Sequence, residues 1–357
     1  MMRTLFFLLI SLPFLTTAQH TRTHGGQHLN GRYAGAAARF PANAASAGTG
    51  AGQREPLAHT FSIVARDERT GDLAVGVQSH WFSVGTTVSW GEAGVGVVAT
   101  QSFTNKSFGI RGLQLLKAGK TAQQALDELL RTDEGRDVRQ VAIADARGNV
   151  AVHTGKKCID FAGHHKGTTY SVQANMMLNN TVPDAMAKAF EKNKALPLPE
   201  RVLSALNAAQ AAGGDIRGRQ SAVLLVVKGK ATGEPWNDNH LVDLRVDDAQ
   251  QPLPELARLL RTHRAYEHMN NGDLATEKND MKAAMQAYGA AMKLFPKNLE
   301  MQYWTAIALA NTKQVPKAAG MLRGIYAQDA NWRELTRRLP KAGLLTVSSA
   351  ELAQLLK

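Results

Sequence analysis

Hydroxyl, amide and imidazole side chains gather in four short stretches of this sequence. These are Thr60 and Ser62, then Gln78, Ser79, His80 and Trp81, then Gln101 and Ser102, and finally Asn175. If neighbouring strands bring them to one rim, such groups can position a substrate carbonyl. The competing reading is that polar side chains at strand ends are ordinary turn and surface groups. His153, His164 and His165 are further candidates, although a hydrogen-bonded histidine near a loop is commoner than a ligand or base. Familiar catalytic signatures are absent: there is no G-x-S-x-G elbow, no G-x-x-x-x-G-K-[ST] phosphate loop and no H-E-x-x-H zinc helix. Gly91, Gly94 and Gly96 have the wrong spacing for a dinucleotide loop, and a hairpin turn explains them better.

The elements that must position these groups are strands and helices in mixed order. TFSIVA from Thr60, the polar turn RDERTGD, and LAVGV from Leu73 predict a first hairpin. Segments 84–90 and 95–101 predict a second. Helices are expected over 109–118 and 122–131, with Gly119 closing the first and Thr121 capping the second. Strands follow at 138–145, 150–153 and 170–176, helices at 185–192 and 200–212, and strands at 222–227 and 241–246. Hairpins between blocks of helices argue a layered α+β fold rather than βαβ repetition.

The rest of the chain is of three kinds. Met1 to Ala18 has the order charge, apolar run, small residues of a cleaved secretory signal, with the cut before Gln19. The mature protein is thus expected to be exported, periplasmic or secreted, with no transmembrane segment, since no later stretch supplies about twenty apolar residues. Residues 19–58 form a Gly-, Ala- and His-rich flexible leader; His20, His24 and His28 would align on a helix, but Gly25 and Gly26 argue against one and against a metal site. After a connecting helix at 251–264, Gly272, Ala284, Tyr288, Ala291 and Pro296 match the small, aromatic and proline positions of a 34-residue repeat. Ala306, Ala318, Leu322, Ile325 and Ala330 stand 34 residues on. Two tetratricopeptide-like repeats over 265–332, capped by helical residues 333–357, are expected.

Composition narrows the function. The 357 residues carry 42 Lys plus Arg against 30 Asp plus Glu, a formal charge of +12. The basic residues are spread thinly, without the aromatic-interleaved runs of a nucleic-acid platform, so no nucleic-acid partner is expected. The lone Cys158 excludes an intrachain disulfide and a cysteine-ligated zinc cluster, and reads as a buried structural thiol. Nothing demands a metal or an organic cofactor.

Five segments, HTFSIVARDERTGDLAVGVQSHWFSVG from His59, WGEAGVGVVATQSFTN from Trp90, EGRDVRQVAIADARGNVAVHTG from Glu134, YSVQANMM from Tyr170 and VDLRVDD from Val242, resemble one family in order. It is the DUF1028 family, an uncharacterised group assigned to the N-terminal-nucleophile hydrolases, and the resemblance places that domain at 59–250. It implies a four-layer αββα sandwich and an amidohydrolase whose nucleophile is the first residue of the first strand. The matching residue is Thr60, whose own α-amine would serve as general base once the preceding peptide bond is cut. Two departures stand out. Relatives commonly begin Met-Thr, whereas here 41 residues separate the expected signal cut from Thr60, so His59 must be removed by a protease or by self-cleavage. Related peptidases also place a Lys and an Asp beside the threonine, yet residues 73–101 contain no Lys and a single acid, Glu92. Ser62, Ser79, His80, Gln101, Ser102 and Asn175 would then support catalysis or bind substrate, with Asn175 or a backbone N–H as oxyanion donor. The alternative to hydrolysis of a small amide or peptide is a silent binding module, whose repeats and basic surface hold a peptide or a cell-wall polymer.

Overall fold

Alternation of apolar and polar residues decides which side of each strand is buried, and the strands of this protein use both sides. The computed structural model describes residues 57–234 and 239–357; the expected signal segment and residues 19–56 of the leader lie outside them. In chain order, β1 (Leu57–Ala58), β2 (Thr60–Arg66), β3 (Leu73–Ser79), β4 (Ser89–Glu92) and β5 (Gly96–Phe103) lead into helices α1 (Ser107–Lys117) and α2 (Ala122–Arg131). Next come β6 (Arg139–Asp145), β7 (Val150–Thr154), β8 (Gly163–Lys166) and β9 (Tyr170–Ala174), then α3 (Val182–Lys192) and α4 (Leu198–Ala211). β10 (Ser221–Val227) and β11 (His240–Val246) complete two antiparallel sheets. One runs β11-β10-β3-β2-β9-β8. In the other, β5 pairs β6 on one edge and shares its second edge between β4 and the two-residue β1.

Val64, Val75, Val77, Val97, Ala99, Ala142 and Val223 fill one apolar cluster between the sheets. On the far side of the six-stranded sheet, Phe61, Ile63 and Val172 pack with Met186, Phe190, Val202 and Leu206 of α3 and α4. On the far side of the other sheet, Val98, Val141 and Ile143 pack with Leu113, Leu126 and Leu129 of α1 and α2. Gly76 lets β3 approach α4 closely, because a Cβ there would lie 2.4 Å from Val202 Cγ1. Thr121 caps α2 with a reciprocal capping box, and Gly119 takes φ 91° just beyond α1.

Three local expectations change. The strand expected over 84–90 is a 3-10 turn at Val84–Thr86 and strand only from Ser89, because Gly85 lies against Val223 and Ser83 adopts φ 51°. The strand from Tyr170 stops at Ala174 rather than at 176, since Met176 turns left-handed at φ 59°. β1 and β8 were not expected: the first is two residues long, and the second, Gly-His-His-Lys, has no apolar alternation.

The C-terminal region is helical: α5 (Pro252–Glu277), α6 (Met281–Leu294), α7 (Leu299–Asn311), α8 (Val315–Tyr326), α9 (Asn331–Arg338) and α10 (Ser349–Leu355). The expected connecting helix and the first helix of the repeats are one continuous rod. Its Leu253, Leu256 and Leu260 belong to the core of the six-stranded sheet, and its Ala265 and Met269 to the core of the hairpins. Positions 34 residues apart are buried alike, as in Ala284 and Ala318, Tyr288 and Leu322, and Ala291 and Ile325. Among the described residues no helix is long and apolar enough to cross a membrane.

Candidate active site

The layer between the sheets changes character along its length. Val64, Val75, Val77, Val97, Ala99 and Ala142 make it apolar at one end. Two-residue periodicity continues the same faces into Thr60, Ser62, Ser79, Gln101, Gln140, Gln173 and Asn175 at the other. All seven are fully buried. Buried amides and hydroxyls are tolerable only when paired, and these are. Gln173 Nε2 donates to Ser62 Oγ at 2.6 Å, and that hydroxyl donates to Gln101 Oε1 at 2.6 Å. Gln101 Nε2 donates to Gln140 Oε1 at 2.7 Å and to the Thr60 carbonyl at 3.2 Å. Asn175 Nδ2 donates to Gln140 Oε1 at 2.9 Å, and the Asn175 backbone N–H to the Thr60 carbonyl at 3.1 Å.

His59 and Thr60 stand where the chain passes from one sheet to the other. Leu57 and Ala58 pair with Phe103 and Ser102 of β5, and the His59 N–H donates back to the Leu57 carbonyl at 3.0 Å in a three-residue turn. Thr60 then opens β2 opposite Ser79. Its hydroxyl donates to the Ala58 carbonyl at 2.8 Å. The His59 carbonyl, which belongs to the peptide bond before Thr60, accepts from Ser79 Oγ at 2.6 Å and from Arg217 Nη2 at 2.7 Å. Arg217 is itself held by Asp215, whose carboxylate is fully buried, through contacts at 3.0 and 2.7 Å. The charges missing from segment 73–101 thus come from the loop between α4 and β10.

The His59 imidazole is 2% exposed, lies edge-on to Phe103, and donates from Nδ1 to Asn175 Oδ1 at 2.7 Å. Burial pushes it below its ordinary titration value, and the Arg217 charge acts in the same direction; the Asn175 bond and Asp215 oppose them. Two strained residues border the site. Ser102 sits at φ 72° with its buried hydroxyl beside the Cys158 thiol, and Met176 at φ 59° follows Asn175.

Among the sequence-derived candidates, Thr60, Ser62, Ser79, Gln101 and Asn175 form one hydrogen-bonded cluster, whereas Ser102 pairs with Ala58 through the backbone and its side chain meets Cys158. His80 does not join them: its side chain is exposed, and only its backbone N–H touches the site's support, at Asp215 Oδ2, 3.2 Å. The donors on the carbonyl are Ser79 and Arg217, not Asn175, whose amide is engaged by His59 and Gln140. Gln140, Gln173, Asp215 and Arg217 were not anticipated. Gln140 carries a weak signal, a glutamine on a strand face that continues into Ala142 and Ala144, and Gln173 lies between Ser171 and Asn175 on a face that is polar throughout; the loop residues carry none.

His153 donates from Nε2 to the Arg136 carbonyl at 2.8 Å, His164 meets Thr154 Oγ1 at 2.9 Å and His165 pairs with Asp184 at 3.3 Å, all at the outer edge of β7 and β8. Among the described residues, no group of three or more His, Cys, Asp or Glu is placed to hold a metal ion. Cys158 is buried, donates to the Arg139 carbonyl at 3.3 Å, and burial raises its thiol's titration value. A separate cavity of about 640 Å³ lies among α5, α6 and α7, where Asp273, Glu277 and Glu300 face Tyr288 and Trp304. Its charged lining is acidic, not basic.

No curated protein matches the chain. A crystal structure of protein SPO2555 from Silicibacter pomeroyi, described as a DUF1028 protein, is similar at 31% identity and a TM-score of 0.52, over 61% of this chain and 92% of that one. The DUF1028 family, a family of unknown function, matches residues 60–256, so its first matched residue is Thr60 itself. With more than half of its length matched, this chain belongs to the DUF1028 family.

Proposed function

We propose that this protein is an exported amidohydrolase of the N-terminal-nucleophile type, acting on a small amide or peptide fragment with Thr60 as nucleophile after the His59–Thr60 bond is cut. The observation that carries this reading is the paired donation from Ser79 Oγ and Arg217 Nη2, at 2.6 and 2.7 Å, to the carbonyl of that very bond. Two donors, one of them cationic, favour negative charge on this oxygen as a tetrahedral intermediate forms. The Thr60 hydroxyl is separated from the carbonyl carbon only by a five-membered ring of covalent geometry. Its oxygen adds to the His59 carbon, the C–N bond breaks as the nitrogen takes the hydroxyl proton, and an ester remains. Water then cleaves that ester, leaving a His59 carboxylate and a chain that begins at Thr60.

The freed α-amine has a reference pKa of about 7.7–8.0, low enough to accept a proton near neutrality. In turnover it takes the proton of the Thr60 hydroxyl as that oxygen attacks an amide carbonyl, passes it to the departing amine, and water resolves the acyl-enzyme. The complete burial of Thr60 in the uncut chain fits a zymogen. Two sheets packed face to face, with helices over both outer faces, support the αββα architecture. Matched burial at a 34-residue interval supports two tetratricopeptide-like repeats.

Intact-mass measurement on protein recovered from its native host tests the reading. A mature chain beginning at Thr60 is expected, with no such cut in Thr60→Ala and with amide turnover confined to the processed parent. A parent chain beginning at Gln19 and silent in an amide screen would overturn it. The binding-module reading has one observation in its favour, the helical cavity of about 640 Å³, whose acids and aromatic rings suit a peptide rather than an anionic cell-wall polymer.

A further inference from the structure

The three residues ahead of Thr60 are held as a bound peptide would be. Leu57 and Ala58 form an antiparallel ladder with Phe103 and Ser102, on the stretch of β5 edge that β4 leaves uncovered. Loss of the leader would expose that backbone edge, and an extended peptide is the ligand that restores its hydrogen bonds. Each leader side chain also sits in a distinct environment. His59 is enclosed, with its Nδ1–H on Asn175 Oδ1 at 2.7 Å and its ring edge-on to Phe103 at 5.7 Å. Ala58 is fully buried within the inter-sheet cluster, so a larger side chain there meets packed atoms. Leu57 is 42% exposed.

We infer that the leader occupies the acyl-side substrate site, and that the processed enzyme cleaves peptides bound by strand addition to β5. The residue at the cut then carries a planar hydrogen-bond donor such as imidazole, the residue before it is no larger than alanine, and the third is unrestricted. This rests on the nucleophile role proposed for Thr60. In the step itself, Thr60 Oγ bonds to the carbonyl carbon held by Ser79 and Arg217, the substrate C–N bond breaks, and the amine leaves with the proton carried by the Thr60 α-amine. Water then returns the acyl part as a peptide carboxylate on the same two donors.

Two measurements separate this inference from the reading beneath it. The first uses the chain released at Thr60 and four aminomethylcoumarin amides: acetyl-Leu-Ala-His, acetyl-Leu-Phe-His, acetyl-Leu-Ala-Glu and acetyl-His. The first amide should exceed each of the others in kcat/KM by at least about tenfold, the scale of one clash or one lost polar contact. The second is calorimetric binding of the free acid acetyl-Leu-Ala-His to a Thr60→Ala chain produced to begin at residue 60, which needs neither self-cleavage nor turnover. Binding should weaken at least about tenfold when phenylalanine replaces the peptide's alanine, and likewise in Arg217→Ala, which loses a charge-assisted bond. Selective binding without turnover of any amide would uphold the strand site and refute the nucleophile. Equal turnover of acetyl-Leu-Phe-His or acetyl-His would overturn the strand site while leaving the nucleophile standing. Failure of the acid to bind at millimolar concentration would also overturn it.

Discussion

Arg217 Nη2 lies 2.7 Å from the carbonyl oxygen of His59, a contact closed across 158 residues of sequence. It ties the loop after α4 to the one peptide bond whose cleavage would free the Thr60 amine. Arg217 remains 27% exposed at its side chain, whereas its Asp215 partner is fully buried. The buried carboxylate therefore fixes the guanidinium, and the guanidinium addresses the carbonyl.

Self-cleavage should depend on this contact. Arg217→Ala removes the cationic donor and Ser79→Ala the neutral one. Each is expected to slow release of the leader by about 10²–10³, the effect of losing one donor to a developing oxyanion. The test is the time course of intact mass after purification under mildly denaturing arrest and return to buffer. Cleavage at the parent rate in both variants would remove the carbonyl cradle from the mechanism.

The uncut chain should weaken in mild acid because of His59. Burial and Arg217 hold its imidazole below the ordinary value of about 6.5. Between those two values the unfolded chain binds more protons than the folded one, so stability rises with pH there and is lost as pH falls below about 6.5. Urea midpoints of Thr60→Ala, which keeps the leader attached, should fall between pH 7.5 and pH 5. The fall should be smaller once His59→Asn is added. An equal fall in both chains would mean that His59 is not the titrating group.

Much of the fold was legible because its strands and helices keep clean periods. TFSIVA and LAVGV alternate or run apolar as strands buried on both sides do, and Thr121 and Gly119 punctuate α1 and α2 by ordinary capping chemistry. What was hidden depends on distance or on brevity. β1 is two residues whose pairing exists only because β5 offers an edge, and Asp215 and Arg217 sit in a loop with no period to read. His80 adjoins Ser79 in sequence, yet it lies just past the end of β3, where its side chain is exposed while that of Ser79 is buried. The seven inward polar groups were individually visible in part. Their union into one layer end required the two sheets to be stacked.

Two glycines in the same helical hairpin should respond oppositely to a methyl group. At Gly272 a Cβ would fall 2.3 Å from Tyr288 Cε1, and Tyr288 is buried with its hydroxyl on Asp273 at 2.7 Å. Gly272→Ala should therefore cost about 1–3 kcal/mol through overpacking. At Gly289, within α6, a Cβ meets nothing within 4 Å. Gly289→Ala should raise stability by about 0.5–1 kcal/mol, the helical preference for alanine. Thermal or urea unfolding of the full chain measures both. Equal responses would mean that α5 and α6 do not meet at the Gly272–Tyr288 contact.

The sharpest test of the buried network falls on Gln140, which touches neither Thr60 nor His59. Its Oε1 accepts from Gln101 Nε2 at 2.7 Å and from Asn175 Nδ2 at 2.9 Å, and its Nε2 donates to the Ala174 carbonyl at 2.9 Å. Gln140→Leu keeps most of the volume but removes the acceptor shared by two buried amides. Each orphaned group costs about 1–3 kcal/mol, so a loss at the upper end of that range or beyond is expected. Gln140→Glu keeps the acceptor but loses the Nε2 donor and places a carboxylate facing the Ala174 carbonyl, so it should destabilise more strongly at neutral pH and recover in acid as the carboxyl protonates. Because Gln101 and Asn175 hold the Thr60 carbonyl and His59, Gln140→Leu should also slow leader release under conditions where the chain stays folded. Stability and release rate measured on one preparation decide the matter. A variant as stable as the parent would show that these amides find other partners, and a destabilised variant that releases its leader at the parent rate would confine the network to a structural role.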